Sequence, residues 1–136
     1  MRDTMISLTS EPARVAFTVQ ATPISTNMAY RLTKAKIGNF ARMYLSAAAK
    51  SFKEMVSLKA TLARPKGWPL DRRYFVGVDF YFRDNRPDSD GPLKLVLDAM
   101  EGCLYKNDRQ VDEVRYRRFV DAASPRVEIS VLLRTK

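Results

Sequence analysis

Between Arg86 and Val111 the sequence reads RPDSDGPLKLVLDAMEGCLYKNDRQV and holds Asp88, Asp90, Lys94, Asp98 and Asp108. Two carboxylates at i and i+2 in a loop can converge on one point, where a hard cation such as Mg²⁺, which takes oxygen ligands, neutralises their repulsion. An ion held this way neutralises a phosphodiester and retains waters able to attack it, so Asp88, Asp90 and Asp108 are candidate metal ligands. Lys94, one turn into a following helix, would offset charge that develops on a scissile phosphate. The same residues admit a plainer reading, with Asp90 as a helix cap and Lys94 and Asp98 as a surface pair at i,i+4 worth about 0.3–0.5 kcal/mol. Spacing alone leaves both open.

Composition narrows the chemistry. The chain has zero His and one Cys, which excludes a Ser-His-Asp or Cys-His nucleophile system and leaves no zinc site. An enzyme of this composition works through carboxylates, lysine, hydroxyls or a metal held by oxygen. With 24 Lys+Arg against 15 Asp+Glu and a net charge of +9, the expected partner is a polyanion, nucleic acid first. Cys103 stands alone, so it forms no internal disulfide and reads as a small buried hydrophobe in a reducing compartment. No apolar run approaches the roughly 20 residues of a membrane span. The first 25 residues carry Asp3, Glu11 and Arg14 without an uninterrupted apolar core, so a cytoplasmic protein with no membrane partner is expected. A length of 136 residues suits one domain, here a loose segment over 1–13 followed by a single domain over 14–136.

The elements that must position the acids follow from periodicity. Arg14 to Gln20 alternates Val15, Phe17 and Val19 against polar or small neighbours, a half-buried strand. It runs into a loop marked by Pro23, Ser25, Thr26 and Asn27 and ending at Tyr30 and Arg31. Those hydroxyls and that amide suit phosphate contacts, and equally an ordinary polar connection. From Asn39 to about Lys59, Phe40, Tyr44, Ala47, Ala48, Phe52, Met55 and Val56 recur at three and four, which predicts an amphipathic helix capped by Asn39. Trp68, between Gly67 and Pro69, reads as a lid on the core or on a partner interface, with base stacking as the alternative.

Tyr74 to Arg83 alternates over its whole length and predicts a strand that ends just before Asp88 and Asp90. Pro92 suits the first turn of a helix to about Leu104, with Ser89 or Asp90 as its cap. Leu93, Leu97, Met100 and Leu104 make its expected buried stripe, while Asp90, Lys94, Asp98 and Glu101 share a neighbouring one. Residues 112–121 and 127–134 read as two further strands joined as an antiparallel hairpin. The fold class expected is α+β, a mixed four-stranded sheet in the order β-α-β-α-β-β with two packed helices.

The segment Asp88-Ser-Asp90-Gly-Pro-Leu93-Lys94-x-x-x-Asp98-Ala99-Met100, followed by Asn107-Asp108-x-Gln110-Val111, resembles the signature of the RusA family of Holliday junction resolvases. That signature runs Asp-x-Asp-Asn-x-x-Lys-x-x-x-Asp-Ala-Leu and then Asp-Asp-x-Gln-Val. Upstream, Pro23-x-Ser25-x-Asn27-x-x-Tyr30-Arg31 is similar to the family's Pro-x-Ser-x-Asn-x-x-Tyr. The resemblance covers the chain from about residue 14 to its end.

It implies a RusA-like fold and a phosphodiester hydrolase of DNA recombination and repair, encoded by a bacterium or a phage. Its activity would be Mg²⁺-dependent paired nicking of four-way DNA junctions by a homodimer, with Mn²⁺ as a substitute ion. Asp88, Asp90 and Asp108 match the family's catalytic metal-binding acids and Lys94 its catalytic lysine. Asp98 matches a recurrent acid that would orient Lys94 or a metal water. Gly91 stands where the family has asparagine, and Asn107 replaces the first acid of the later pair. Ser25, Asn27, Tyr30 and Arg31, with Lys34, Lys36, Arg115 and Arg117, are the candidate contacts to DNA phosphates. Two other functions compete: a non-catalytic basic nucleic-acid-binding module, and a nuclease for flapped or otherwise branched DNA.

Overall fold

Nine alternating residues, Tyr74–Phe82, form the strand around which the sheet is built. A computed structural model describes residues 13–23, 47–85 and 92–134, together with the backbone of 30–34 and 41–45. The expected loose segment 1–13, all but its last residue, lies outside the described residues. So do Ser25, Asn27, Lys36, Asp88, Ser89, Asp90 and Gly91, and the side chains of Tyr30, Arg31 and Lys34.

In chain order the elements are β1 (Arg14–Val19), β2 (Tyr30–Lys34), β3 (Ala41–Leu45), α1 (Ala47–Ala63), β4 (Tyr74–Phe82), α2 (Leu93–Met100), a short 3₁₀ turn (Asp108–Gln110), β5 (Val111–Val120) and β6 (Arg126–Leu133). The α+β class with a mixed four-stranded sheet and two helices is as expected, in the strand order β1-β6-β4-β5. β4 takes the centre because it is buried on both faces: Tyr74, Val76, Val78, Phe80 and Phe82 toward the helices, Gly77 and Asp79 on the other side. A strand with that pattern needs a neighbour along each edge. β6 pairs with it antiparallel and β5 parallel. The parallel pairing requires a crossover, which the stretch containing α2 supplies.

Three expectations are corrected. β5 and β6 are not a hairpin: β4 lies between them, and the chain leaving β5 is tied to the end of β4 where Asp121 N–H donates to the Phe82 carbonyl at 2.8 Å. Of the helix expected from Asn39, the described part starts at Ala47, and 41–45 is instead a strand paired antiparallel with 30–34, while Asn39 and Phe40 lie outside the described residues. Phe40 and Tyr44 are four apart, a spacing that satisfies a period of two as well as one of 3.6. The buried stripe of α1 is accordingly Ala49, Phe52, Val56 and Ala60, with Met55 turned outward. The helix expected to reach Leu104 stops at Met100, and its buried face is Leu95, Val96, Ala99 and Met100.

The core lies between the helices and one face of the sheet. Val15, Val19, Val127, Ile129 and Val131 from β1 and β6 join the inward side of β4 there. Full burial of each side chain such as Phe52 or Leu95 contributes about 1.5–3 kcal/mol. Ser57 Oγ donates to the Ala99 carbonyl at 2.7 Å and ties α1 to α2. Trp68 lids this core, as expected: it is buried, stacks on Tyr74 and donates its indole N–H to the Leu104 carbonyl at 2.9 Å.

Candidate metal centre

Helix α2 carries Asp98 in its last turn and Glu101 immediately after its end. The chain then reverses at Gly102, whose φ of 83° belongs to the left-handed region that a side chain disfavours. A bridge between Glu101 and Tyr105 closes the reversal. Three residues later Asp108 arrives beside the helix end it came from. Asp98, Glu101 and Asp108 each offer a carboxylate oxygen, and these oxygens lie within 4.8 Å of one another.

The turn bearing Asp108 is capped from both sides. Asn107 Oδ1 accepts the Arg109 N–H at 2.8 Å, and the Gln110 side chain accepts the Asn107 N–H at 2.8 Å. This is what Asn107 does in the fold, and an aspartate there would offer the same acceptor oxygen. The departure at this position therefore leaves the cap intact. From the other side, Glu101 Oε2 accepts the Asp108 N–H at 3.0 Å.

Beneath the acids, Tyr105 is fully buried and donates its hydroxyl to the Leu97 carbonyl at 2.8 Å. Burial first, then the charges of Glu101, Asp108 and Asp98, push its phenol well above the usual tyrosine range, so it stays a neutral donor. Lys94 Nζ lies 3.3 Å from Asp98 Oδ2, so the i,i+4 pair forms alongside the acidic cluster. Pairing with Lys94 and membership of the cluster are compatible in Asp98.

Of the sequence candidates, Asp98 and Asp108 are thus brought to one place with Lys94 at its edge, while Asp88 and Asp90 lie outside the described residues. Glu101 is the member that sequence reasoning did not select. Its signal was present, because it shares the charged stripe of α2 with Lys94 and Asp98; the family signature has no matching acid there to single it out.

Arg115 and Arg117 are not part of this cluster. They project from β5 on the sheet face opposite the helices, where Arg117 grips Asp79 through Nε at 2.9 Å and Nη2 at 2.7 Å. Arg115 Nη2 adds a longer contact at 3.4 Å. The Arg117 hydrogen bonds, more than any other influence, hold the Asp79 carboxyl below its usual range. Both arginine side chains remain about half exposed, 53% and 52%, beside a shallow groove of about 460 Å³ that Thr18, Glu128 and Ser130 also line.

The three carboxylates offer hard oxygen donors, of the kind that could hold a divalent cation. No helix among the described residues is long and apolar enough to cross a membrane. The family model described as endodeoxyribonuclease RusA matches residues 21–132, a span that takes in α2, the Asp108 turn and all but the last residue of β6. No curated protein matches the chain.

Proposed function

Because the chain belongs to the RusA endodeoxyribonuclease family of Holliday junction resolvases, we propose that it resolves four-way DNA junctions by paired nicks, as a homodimer dependent on Mg²⁺ or Mn²⁺. The observation that carries this reading is the convergence of Asp98, Glu101 and Asp108 in a chain of net charge +9. Three carboxylates at such short range repel one another, and a divalent cation is the partner that removes the cost.

In this reading Asp88, Asp90 and Asp108 would hold the ion, and Asp98 and Glu101 would add their carboxylates beside Asp108. The bound ion supplies charge neutralisation at the phosphate and an activated water. Lys94, 70% exposed while paired with Asp98, presents its ammonium where a scissile phosphate approaches. Ser25, Asn27, Tyr30, Arg31, Arg115 and Arg117 bind DNA backbone, so affinity falls steeply with salt. A twofold dimer sets two identical centres against two symmetry-related strands.

The test is cleavage of synthetic four-way junctions, flaps and linear duplex with Mg²⁺, Mn²⁺ or EDTA. Symmetric nicks confined to the junction, lost in EDTA, are expected. Equal cutting of flaps would move the reading to a general branched-DNA nuclease. Binding without cleavage under every metal would leave only a basic nucleic-acid-binding module.

A further inference from the structure

Gln110 uses every hydrogen-bonding position of its carboxamide. Its Oε1 accepts the main-chain N–H groups of Lys106 and Asn107, both at 2.8 Å. Its Nε2 donates to the carbonyls of Leu70 at 2.9 Å and Arg72 at 2.8 Å. A carboxamide has two donors and two acceptor sites, so nothing is left to offer a substrate or an ion.

The two pairs of bonds do different things. The acceptor pair closes, from within, the turn that carries Asp108. The donor pair fastens that turn to the segment leading into β4, which lies 40 and 38 residues away in sequence. Glu101 holds the opposite side through the Asp108 N–H. The backbone of Asp108 is thereby fixed between the end of α2 and the start of the central strand. No other residue type of this length supplies both functions: glutamate keeps the acceptors and loses the donors, and asparagine is one methylene too short to span both.

We propose that Gln110 is a positioning residue for the cleavage reaction, whose carboxamide locks the Asp108 turn to the 70–72 segment and so keeps the Asp108 carboxylate in register with Asp98 and Glu101. The proposal rests on the nuclease reading for its consequence in catalysis, and on the four hydrogen bonds for the lock itself. A side chain that orients a metal-binding carboxylate without touching metal or substrate typically controls about 10–100-fold in affinity or rate.

The experiment compares wild type with Gln110→Ala and Gln110→Glu by amide hydrogen exchange, by Tb³⁺ luminescence excited through tyrosine and tryptophan, and by junction cleavage in Mg²⁺. Faster exchange at the amides of Lys106 and Asn107 is expected in Gln110→Ala, which removes their acceptor, and faster exchange at Asp108 in both variants, since both lose the donors that fasten the turn. Tb³⁺ affinity and kcat should fall about 10–100-fold while KM for the junction stays near the wild-type value. Gln110→Glu carries the comparison alone if Gln110→Ala fails to melt cooperatively. A variant that merely melts at lower temperature, with wild-type Tb³⁺ affinity and kcat below that temperature, overturns the proposal. Unchanged exchange at Asp108 in both variants does so as well. If the wild type cuts no branched DNA, the nuclease reading fails, and the exchange and Tb³⁺ measurements still decide what Gln110 does.

Discussion

Glu101 accepts the main-chain N–H of Asp108 at 3.0 Å while its carboxylate also crowds those of Asp98 and Asp108. One residue therefore both holds the turn and adds charge to the cluster. A glutamine side chain at this position would keep an acceptor for the N–H and remove one of three like charges. The Glu101→Gln protein should accordingly melt at or above the wild-type temperature without divalent ions. Its gain in melting temperature on adding Mg²⁺ or Mn²⁺ should be smaller, because a ligand stabilises by RT ln(1 + [L]/Kd), about 2.7 kcal/mol at 100 Kd. Scanning calorimetry with and without the ion reads both signs. A lower melting temperature without ions would mean that the charge of Glu101, not only its acceptor oxygen, holds the turn.

Acid should weaken the sheet through Asp112. The carboxylate of this β5 residue binds Arg73, ahead of β4, and Arg134, after β6, the latter at 2.6 Å. Hydrogen bonds from Arg73, then Arg134, hold its carboxyl down at about 2, against about 3.9 in an unfolded chain. A pKa lowered on folding contributes stability that is fully present above the unfolded value and is lost as pH falls through the folded one. The stability of the wild type should therefore decline between about pH 4 and pH 2. An Asp112→Asn variant, less stable at neutral pH, should show a shallower decline over that window in urea melts followed by circular dichroism.

How much of this was legible in the residues depends on which contacts are local. The alternation of Tyr74–Phe82 spans nine residues and admits one period, so the central strand was readable. Phe40 and Tyr44 were not decisive, since a separation of four fits a strand and a helix alike, and the pairing of 30–34 with 41–45 settled it. The hairpin reading of 112–121 and 127–134 followed adjacency in sequence. What overrides adjacency is that β4, apolar on one face and buried on both, claims both neighbours, a requirement visible only when the strands are assembled. In the acidic cluster, the α2 stripe predicted Asp98 beside Lys94. The return of Asp108 depends on the reversal at Gly102 and on the bonds of Gln110 to Leu70 and Arg72, which no periodicity encodes.

The Asp79 cluster gives a test of whether β5 contacts DNA. Asp79 is 6% exposed, yet the arginine side chains it holds are half in solvent and can rehydrate once released. Asp79→Asn should thus cost on the order of 1–2 kcal/mol, less than a fully buried ion pair would. The same change frees Arg115 and Arg117. If those side chains bind phosphates, the variant should bind a four-way junction more tightly at low salt and show a steeper fall of log K with log salt, because each added phosphate contact contributes a slope of about −0.9. Fluorescence anisotropy across a salt series measures this. An unchanged slope would remove both arginines from the interface.

Trp68 links the core to the acidic cluster through the turn at 101–105. Its indole N–H holds the Leu104 carbonyl, and Arg64 Nη1 holds the neighbouring Cys103 carbonyl at 2.9 Å, while Tyr105 next in sequence lies under the acids. Trp68→Phe keeps most of the ring stacked on Tyr74 but leaves the Leu104 carbonyl without its donor, at a cost of about 1–3 kcal/mol. Trp68→Ala also opens a cavity, and about 3–5 kcal/mol is expected. Against a typical domain stability of about 5–15 kcal/mol, the alanine variant approaches its unfolding threshold, and the phenylalanine variant is the informative one. Its Tb³⁺ affinity should fall by less than that of Gln110→Ala, because Gly102 and the Glu101–Tyr105 bridge still make the reversal. Equal losses in the two variants would place the control of Asp108 in the 101–105 turn and not in the carboxamide of Gln110.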